Sequence, residues 1–251
     1  MRILATNDDG IYAPGLEALV EALAPLGEVV VVAPNRERSA TAHAITLHEP
    51  LRVEKVSRNG AFFGHAVSGT PVDCVKLAVV SLLEQRPDFV VSGINPGTNV
   101  GTNAIYSGTV SAALEGAMNG ITSLAVSIDS VEEPDYAPAA AFTRRFIERL
   151  ASGGLGRATA FNINLPDLPA DRIKGVRFTH QGRLMFREEF HQRTDPQRRV
   201  YYWLGGELPV ADDGADADST AVLDGYIAVT PLHCDLTDYA ALEQLKTWAV
   251  E

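Results

Sequence analysis

Cysteine is nearly absent: Cys74 and Cys234 are the two in 251 residues, far apart and without a second thiol or histidine at metal-like or redox-like spacing. A disulfide framework is thereby excluded, and the expectation is a reduced, cytoplasmic chain with inert thiols. No run approaches the roughly 20 apolar residues of a membrane span. The first residues lack a basic region followed by an apolar core, because Asp8 and Asp9 interrupt them. Lysine is confined to Lys55, Lys76, Lys174 and Lys246, and 21 Lys plus Arg stand against 32 Asp plus Glu, a formal charge of −11. That balance argues against a nucleic-acid polymer as main partner, since a broad phosphate-binding surface needs basic patches. A small phosphorylated substrate stays open, because a bound metal can supply positive charge locally. Neither a Gly-x-Ser-x-Gly nucleophile elbow nor a phosphate loop ending in Gly-Lys-Ser/Thr occurs, so acyl-hydrolase, kinase and NTPase chemistry have no support. The six histidines show no pair one helical turn apart, which leaves zinc without a motif.

What is present is a soluble-enzyme composition, 46% apolar and 21% charged. The length fits a single domain, with a core over residues 1–170 and an extension over 171–251. The core alternates strand-like runs (3–6, 28–33, 51–56, 61–67, 88–92, 123–128, 161–165) with helix-like stretches (14–26, 71–83, 110–118, 137–150). Val29 to Val32 is an unbroken β-branched run of the kind buried on both sheet faces. This alternation predicts a doubly wound, mostly parallel α/β sheet. Residues 93–108 read as a glycine- and asparagine-rich loop. In the extension, 173–179 and 226–229 read as strands, 212–218 as an acidic mobile loop and 239–248 as a closing helix. Residues 181–204 read as an extended hairpin that packs on another subunit, against the simpler alternative of a local lid.

Four polar segments follow strands and therefore meet at one rim of a parallel sheet, where such folds bind ligands. They are Asn7-Asp8-Asp9-Gly10, the stretch from Asn35 to Ser39, the stretch from Ser92 to Gly101, and Tyr106-Ser107-Gly108-Thr109. Each has a plain structural reading. Asp-Asp-Gly is often only a turn, Asn95 and Asn99 tolerate left-handed backbone, and Ser107 or Thr109 can simply cap a helix. Taken together they point further. Two adjacent carboxylates repel unless a cation lies between them and the substrate, and carboxylate, hydroxyl and amide oxygens suit hard cations such as Mg²⁺ or Mn²⁺, with Ca²⁺ possible in principle. Ser107, Gly108 and Thr109 at a helix start offer N–H groups to a phosphate, with Asn99 nearby in the third segment. A hard metal beside an anion cradle indicates phosphoryl chemistry. His43 either faces this site or is a satisfied loop histidine.

These segments, ILATNDDGIYAPG, APNRERSATAHAIT, SGTPVDCV, SGINPGTNVG and YSGTVSAALEG, occur in the order found in the SurE family of survival-protein nucleotidases, which the chain resembles strongly over its first half and in general layout beyond. The resemblance implies a metal-dependent phosphatase of nucleoside 5′-monophosphates. It assigns one divalent ion per subunit to Asp8, Asp9, Ser39 and Asn95, with Asp8, Asp9 and Asn95 at the catalytic centre and the phosphate near Ser107, Gly108 and Thr109. It also implies a Rossmann-like core and a homodimer or homotetramer joined through exchanged C-terminal elements. Whether water or Asp8 attacks phosphorus stays open. Two alternatives remain: a non-catalytic nucleotide-binding regulator, and a haloacid-dehalogenase-like phosphatase, whose two aspartates are separated by one residue whereas these are adjacent.

Overall fold

Short β-branched and apolar runs set the frame. The structure, a computed structural model, describes residues 1–130, 132, 134–153, 155–185, 187–207 and 214–248. The core strands are β1 (Arg2–Thr6), β2 (Glu28–Pro34), β3 (Val53–Arg58), β4 (Ala61–Val67), β5 (Phe89–Pro96), β6 (Thr122–Ile128) and β7 (Ala160–Leu165). Four helices lie between them: α1 (Pro14–Leu23), α2 (Pro71–Leu77), α3 (Gly108–Met118) and α4 (Ala137–Ala151). Beyond them come β8 (Val176–Phe178), β9 (Arg187–Thr194), β10 (Val200–Glu207), α5 (Asp218–Leu223), β11 (Ile227–Leu232) and α6 (Tyr239–Leu245).

Nine strands form one sheet in the order β3-β4-β2-β1-β5-β6-β7-β11-β8. The β4-β2-β1-β5-β6-β7 centre is parallel, while β3 and β11 run antiparallel to β4 and β7. The doubly wound, mostly parallel sheet expected from the alternation is therefore observed. Successive residues along a strand point to opposite faces. Ile3 and Val91 accordingly join a core beneath α1 and α4, while Leu4 and Val90 join one beneath α2 and α3. All parallel strands end on one side, and the site sits there.

Local chemistry explains most boundaries. Pro14 occupies the first turn of α1, where a missing N–H costs nothing. Thr70 and Asp73 close α2 with a reciprocal capping box. Several elements differ from the sequence reading: the helix read as 71–83 ends at Leu77 and gives way to a π-helical turn over Ala78–Leu82, and the strand read as 51–56 is Val53–Arg58. The strand read as 88–92 continues through Pro96, and a 3₁₀ turn, Gly101–Ile105, interrupts the stretch read as loop. Asp218 is not in a mobile loop: it is fully buried and opens α5, accepting hydrogen bonds from Gly101, Gly182 and Ser219 N–H groups. The 212–213 part of that reading lies outside the described residues. The hairpin read at 181–204 is present as β9 and β10, which form their own two-stranded sheet, with Phe190, Tyr202, Trp203 and Leu204 exposed. The strands β8 and β11, from the stretch assigned to the extension, complete the main sheet.

Gly15 shows how closely α1 meets the rim. A Cβ there would lie 2.1 Å from the Ile94 carbonyl oxygen and 3.0 Å from the Tyr136 ring. Gly15→Ala is expected to destabilise the fold by about 3 kcal/mol, as overpacking against backbone does; a urea midpoint indistinguishable from the parent chain would contradict that packing.

Candidate active site

The turn after β1 is built by Asn7. Its side chain donates to the Gly10 carbonyl (2.9 Å) and accepts from the Gly10 N–H (3.2 Å), an internal brace that tightens the turn. Gly10 has φ +99°, and a Cβ would press against the Arg36 backbone at 3.1 Å. The two aspartates are thereby presented at the rim without freedom to separate.

Asp8 is almost fully buried and is gripped by the start of α3. Its Oδ2 accepts from the Thr109 N–H (3.1 Å), and its Oδ1 accepts from the Thr109 hydroxyl in a very short bond. Gly108 permits this approach, since a Cβ there would lie 2.9 Å from Asp8 Cβ. Burial raises the Asp8 pKa above its ordinary value, although the Thr109 hydroxyl and the Thr109 and Gly108 N–H groups oppose the rise. Asp9 has no such help. Burial, reinforced by the Asp8 and Glu37 carboxylates, pushes it up to about 7, and its buried Oδ2 has no hydrogen-bond partner.

A cavity of about 480 Å³ opens over these groups, lined by Asp8, Asp9, Glu37, Ser39, Asn95, Asn99 and Ser107 among others. Asn95 donates its amide to the Gly97 carbonyl (2.7 Å) and the Pro96 carbonyl (3.3 Å). Only an N–H can face two carbonyls, so the amide orientation is fixed and Oδ1 is left to accept elsewhere. Ser39 donates its hydroxyl hydrogen to Glu37 Oε1 (2.6 Å), which leaves the Oγ lone pairs available. Ser107 Oγ caps α3 by accepting from the Val110 N–H (3.1 Å), so its own hydrogen is free for an anion. Asn99 sits in a buried amide network, donating to Ser127 and Asn164 and accepting from Asn162.

The donor set fits a hard divalent cation: one orphaned carboxylate oxygen, a second carboxylate, an amide oxygen and a hydroxyl oxygen line the same cavity. Three carboxylates and no Lys or Arg are among the described residues lining it, so no cationic side chain in that lining balances their charge. Among the described residues no group of three or more His, Cys, Asp or Glu forms a metal cluster, and this mixed oxygen set of two acids and two neutral residues is of another kind.

One assignment is corrected. The Thr109 N–H is not free for a phosphate; it donates to Asp8, because a buried anion at a helix start takes the same donors a phosphate would. Of the two readings of His43, the satisfied loop histidine is the one observed: it pairs with Glu115 at 3.0 Å. Glu37 was missed as a cavity carboxylate; its place between Arg36 and Arg38 reads in sequence as a solvated charge run. Tyr106, from the fourth rim segment, and Asn103, which no motif announces, also line the cavity.

A family profile described as Survival protein SurE matches residues 3–188. A protein of Syntrophobacter fumaroxidans named 5′-nucleotidase SurE is 52% identical over 248 residues, covering 99% of each chain. One of the same name from Desulfatibacillum aliphaticivorans is 50% identical over 251 residues, covering 100% of this chain and 99% of that one. Among solved structures, the Sure protein from Aquifex aeolicus superposes with a TM-score of 0.84 at 40% identity, covering 98% of each chain.

The sign of the Asp9 shift sets a pH dependence. A carboxyl whose pKa rises from 3.8 to about 7 on folding holds its proton more tightly in the folded chain, so the metal-free protein loses stability as pH rises through that window. A cation must displace this proton, so Mn²⁺ uptake is expected to weaken at about pH 6 relative to about pH 8, with protons released on binding. Calorimetric titration in buffers of different ionisation enthalpy measures both; equal constants with no proton release would contradict the assignment.

Proposed function

The chain belongs to the survival protein SurE family, and on that premise we propose that it is a divalent-metal-dependent 5′-nucleotidase, hydrolysing nucleoside 5′-monophosphates to nucleoside and phosphate. The observation that carries this reading is the charge of the cavity: Asp8, Asp9 and Glu37 line it without a Lys or Arg among the described lining residues, so a phosphate dianion can enter only with a cation. Asp8, Asp9, Ser39 and Asn95 would be the ligands, and would hold one Mg²⁺ or Mn²⁺ per subunit. When bound, the ion supplies Lewis-acid polarisation of a phosphoryl oxygen and neutralises the carboxylates.

The remaining work falls to the chain. Ser107 offers its hydroxyl hydrogen to a non-bridging oxygen, where charge resides throughout phosphoryl transfer. Asn99, braced by Ser127, Asn162 and Asn164, forms a rigid part of the cavity wall near the phosphate. Thr109 and Gly108 act one step back, holding Asp8 in place. Water is the nucleophile: as its oxygen bonds to phosphorus, the bond to the 5′ oxygen breaks, and the proton the water gives up ends on that 5′ oxygen. An aspartyl nucleophile is disfavoured because both Asp8 oxygens already accept hydrogen bonds from Thr109.

The exposed apolar residues of β9 and β10, with Leu236 (96% exposed) and Trp248 (66%) near α6, support a homodimer or homotetramer joined through these elements. No described helix is long and apolar enough to cross a membrane. Cys74 and Cys234 are free thiols, which agrees with a cytoplasmic location.

A phosphate-release assay over nucleoside monophosphates, with EDTA and then with Mn²⁺ restored, tests the reaction; tight nucleotide binding without release would favour the regulator instead. Asp8→Asn is expected to lower turnover by about a thousandfold or more, while the metal-free melting temperature stays equal or rises, because a buried charge is removed. Activity within tenfold of the parent chain in Mn²⁺ would overturn the assignment.

A further inference from the structure

Glu115 is a carboxylate that the reaction above does not use. It lies on α3, is 1% exposed, and gathers three partners: Lys76 Nζ at 2.7 Å, Asn119 Nδ2 at 2.8 Å and His43 Nε2 at 3.0 Å. Burial would raise its pKa, but hydrogen bonds from His43, Lys76 and Asn119 outweigh that and hold it at about 2, so it is ionised throughout the working pH range.

His43 belongs to the segment that carries Ser39, four residues upstream. That segment has no regular secondary structure between Ser39 and Val53, and two non-glycine residues beside Ser39 are left-handed: Ala40 at φ 54° and Ala42 at φ 50°. L-residues hold such backbone only where surroundings impose it. Several constraints act: Arg38 N–H donates to the Asp8 carbonyl (2.7 Å) before Ser39, and beyond it Ala42 N–H donates to the Tyr106 carbonyl (3.0 Å), Thr41 Oγ1 to the Arg38 carbonyl (2.9 Å), and the His43 ring meets Glu115. The same helix grips Asp8 through Thr109, six residues before Glu115.

Building on the metal-site reading, we infer that Glu115 is a positioning residue which, through His43, docks the Ser39 segment against α3 and so sets the spacing between the Ser39 hydroxyl and Asp8. One rigid helix then references both an acidic and a neutral donor, and the metal affinity depends on a side-chain pair that never touches the ion. Partners one layer out from metal ligands commonly matter by about 10- to 100-fold in affinity.

The test uses His43→Ala and His43→Gln in the full chain; the glutamine amide reaches about as far as Nε2 and can still donate to Glu115. Mn²⁺ titration calorimetry is expected to show binding weakened about 10- to 100-fold in His43→Ala and recovered to within about threefold in His43→Gln. Saturating Mn²⁺ is expected to restore most of kcat in His43→Ala, and amide exchange of residues 38–43, measured without metal, is expected to accelerate. An Mn²⁺ constant within twofold of the parent chain in His43→Ala, a His43→Gln variant as weak as His43→Ala, or unchanged exchange at 38–43 would overturn the inference. A parent chain that takes up no Mn²⁺ overturns the metal-site reading instead, and the metal-free exchange still reports whether the pair holds the segment.

Discussion

Crowding of like charge at the carboxyl edge of the sheet is the constraint on which the site depends. Asp8 and Asp9 are consecutive, Glu37 adds a third carboxylate, and no cationic side chain is among the described residues lining the cavity. In water such a cluster would spread apart; here the Asn7 brace, the Gly10 turn and the grip of α3 prevent it. The chain therefore stores an unfavourable arrangement that a small, hard cation relieves, and folding energy from the two cores beneath the helices holds it until then.

Small residues make this geometry possible. Gly15 lets α1 rest on the Ile94 carbonyl, and Gly108 lets α3 begin directly against Asp8. In both places a methyl group would occupy space already taken by backbone or by the functional carboxylate. The helix start carries a partial positive charge, and it is spent on Asp8, which stays buried without a basic partner. Asp9, turned away from those donors, keeps an unpaired oxygen for the cavity. Two adjacent residues of one type thus end in different electrostatic surroundings.

Much of this was legible in the sequence, for reasons that differ by element. The β2 run of valines and the Pro14 and Thr70 helix starts are local signals, and the structure agrees with them closely. The rim segments were legible because parallel strands must end together. What escaped was decided by partners distant in the chain. Thr109 advertises donors to any anion, and only the fold reveals that Asp8, 101 residues away, takes them. Asp218 sits in a stretch of Asp, Gly and Ala that reads as loop, yet the N–H groups of Gly101 and Gly182 make it an internal junction. His43 was left between two readings because its partner, Glu115, is 72 residues off.

The placement of aromatic indoles has an experimental consequence. The chain has two tryptophans, Trp203 on β10 and Trp248 beyond α6, and both stand outside the nine-stranded sheet at 62% and 66% exposure. Intrinsic emission therefore reports on the peripheral hairpin and the C-terminal stretch, not on the interior. A denaturation curve followed by fluorescence records the environment of those appendages, whereas circular dichroism records the sheet and helices. Non-coincident curves for this protein would consequently be no proof of a folding intermediate.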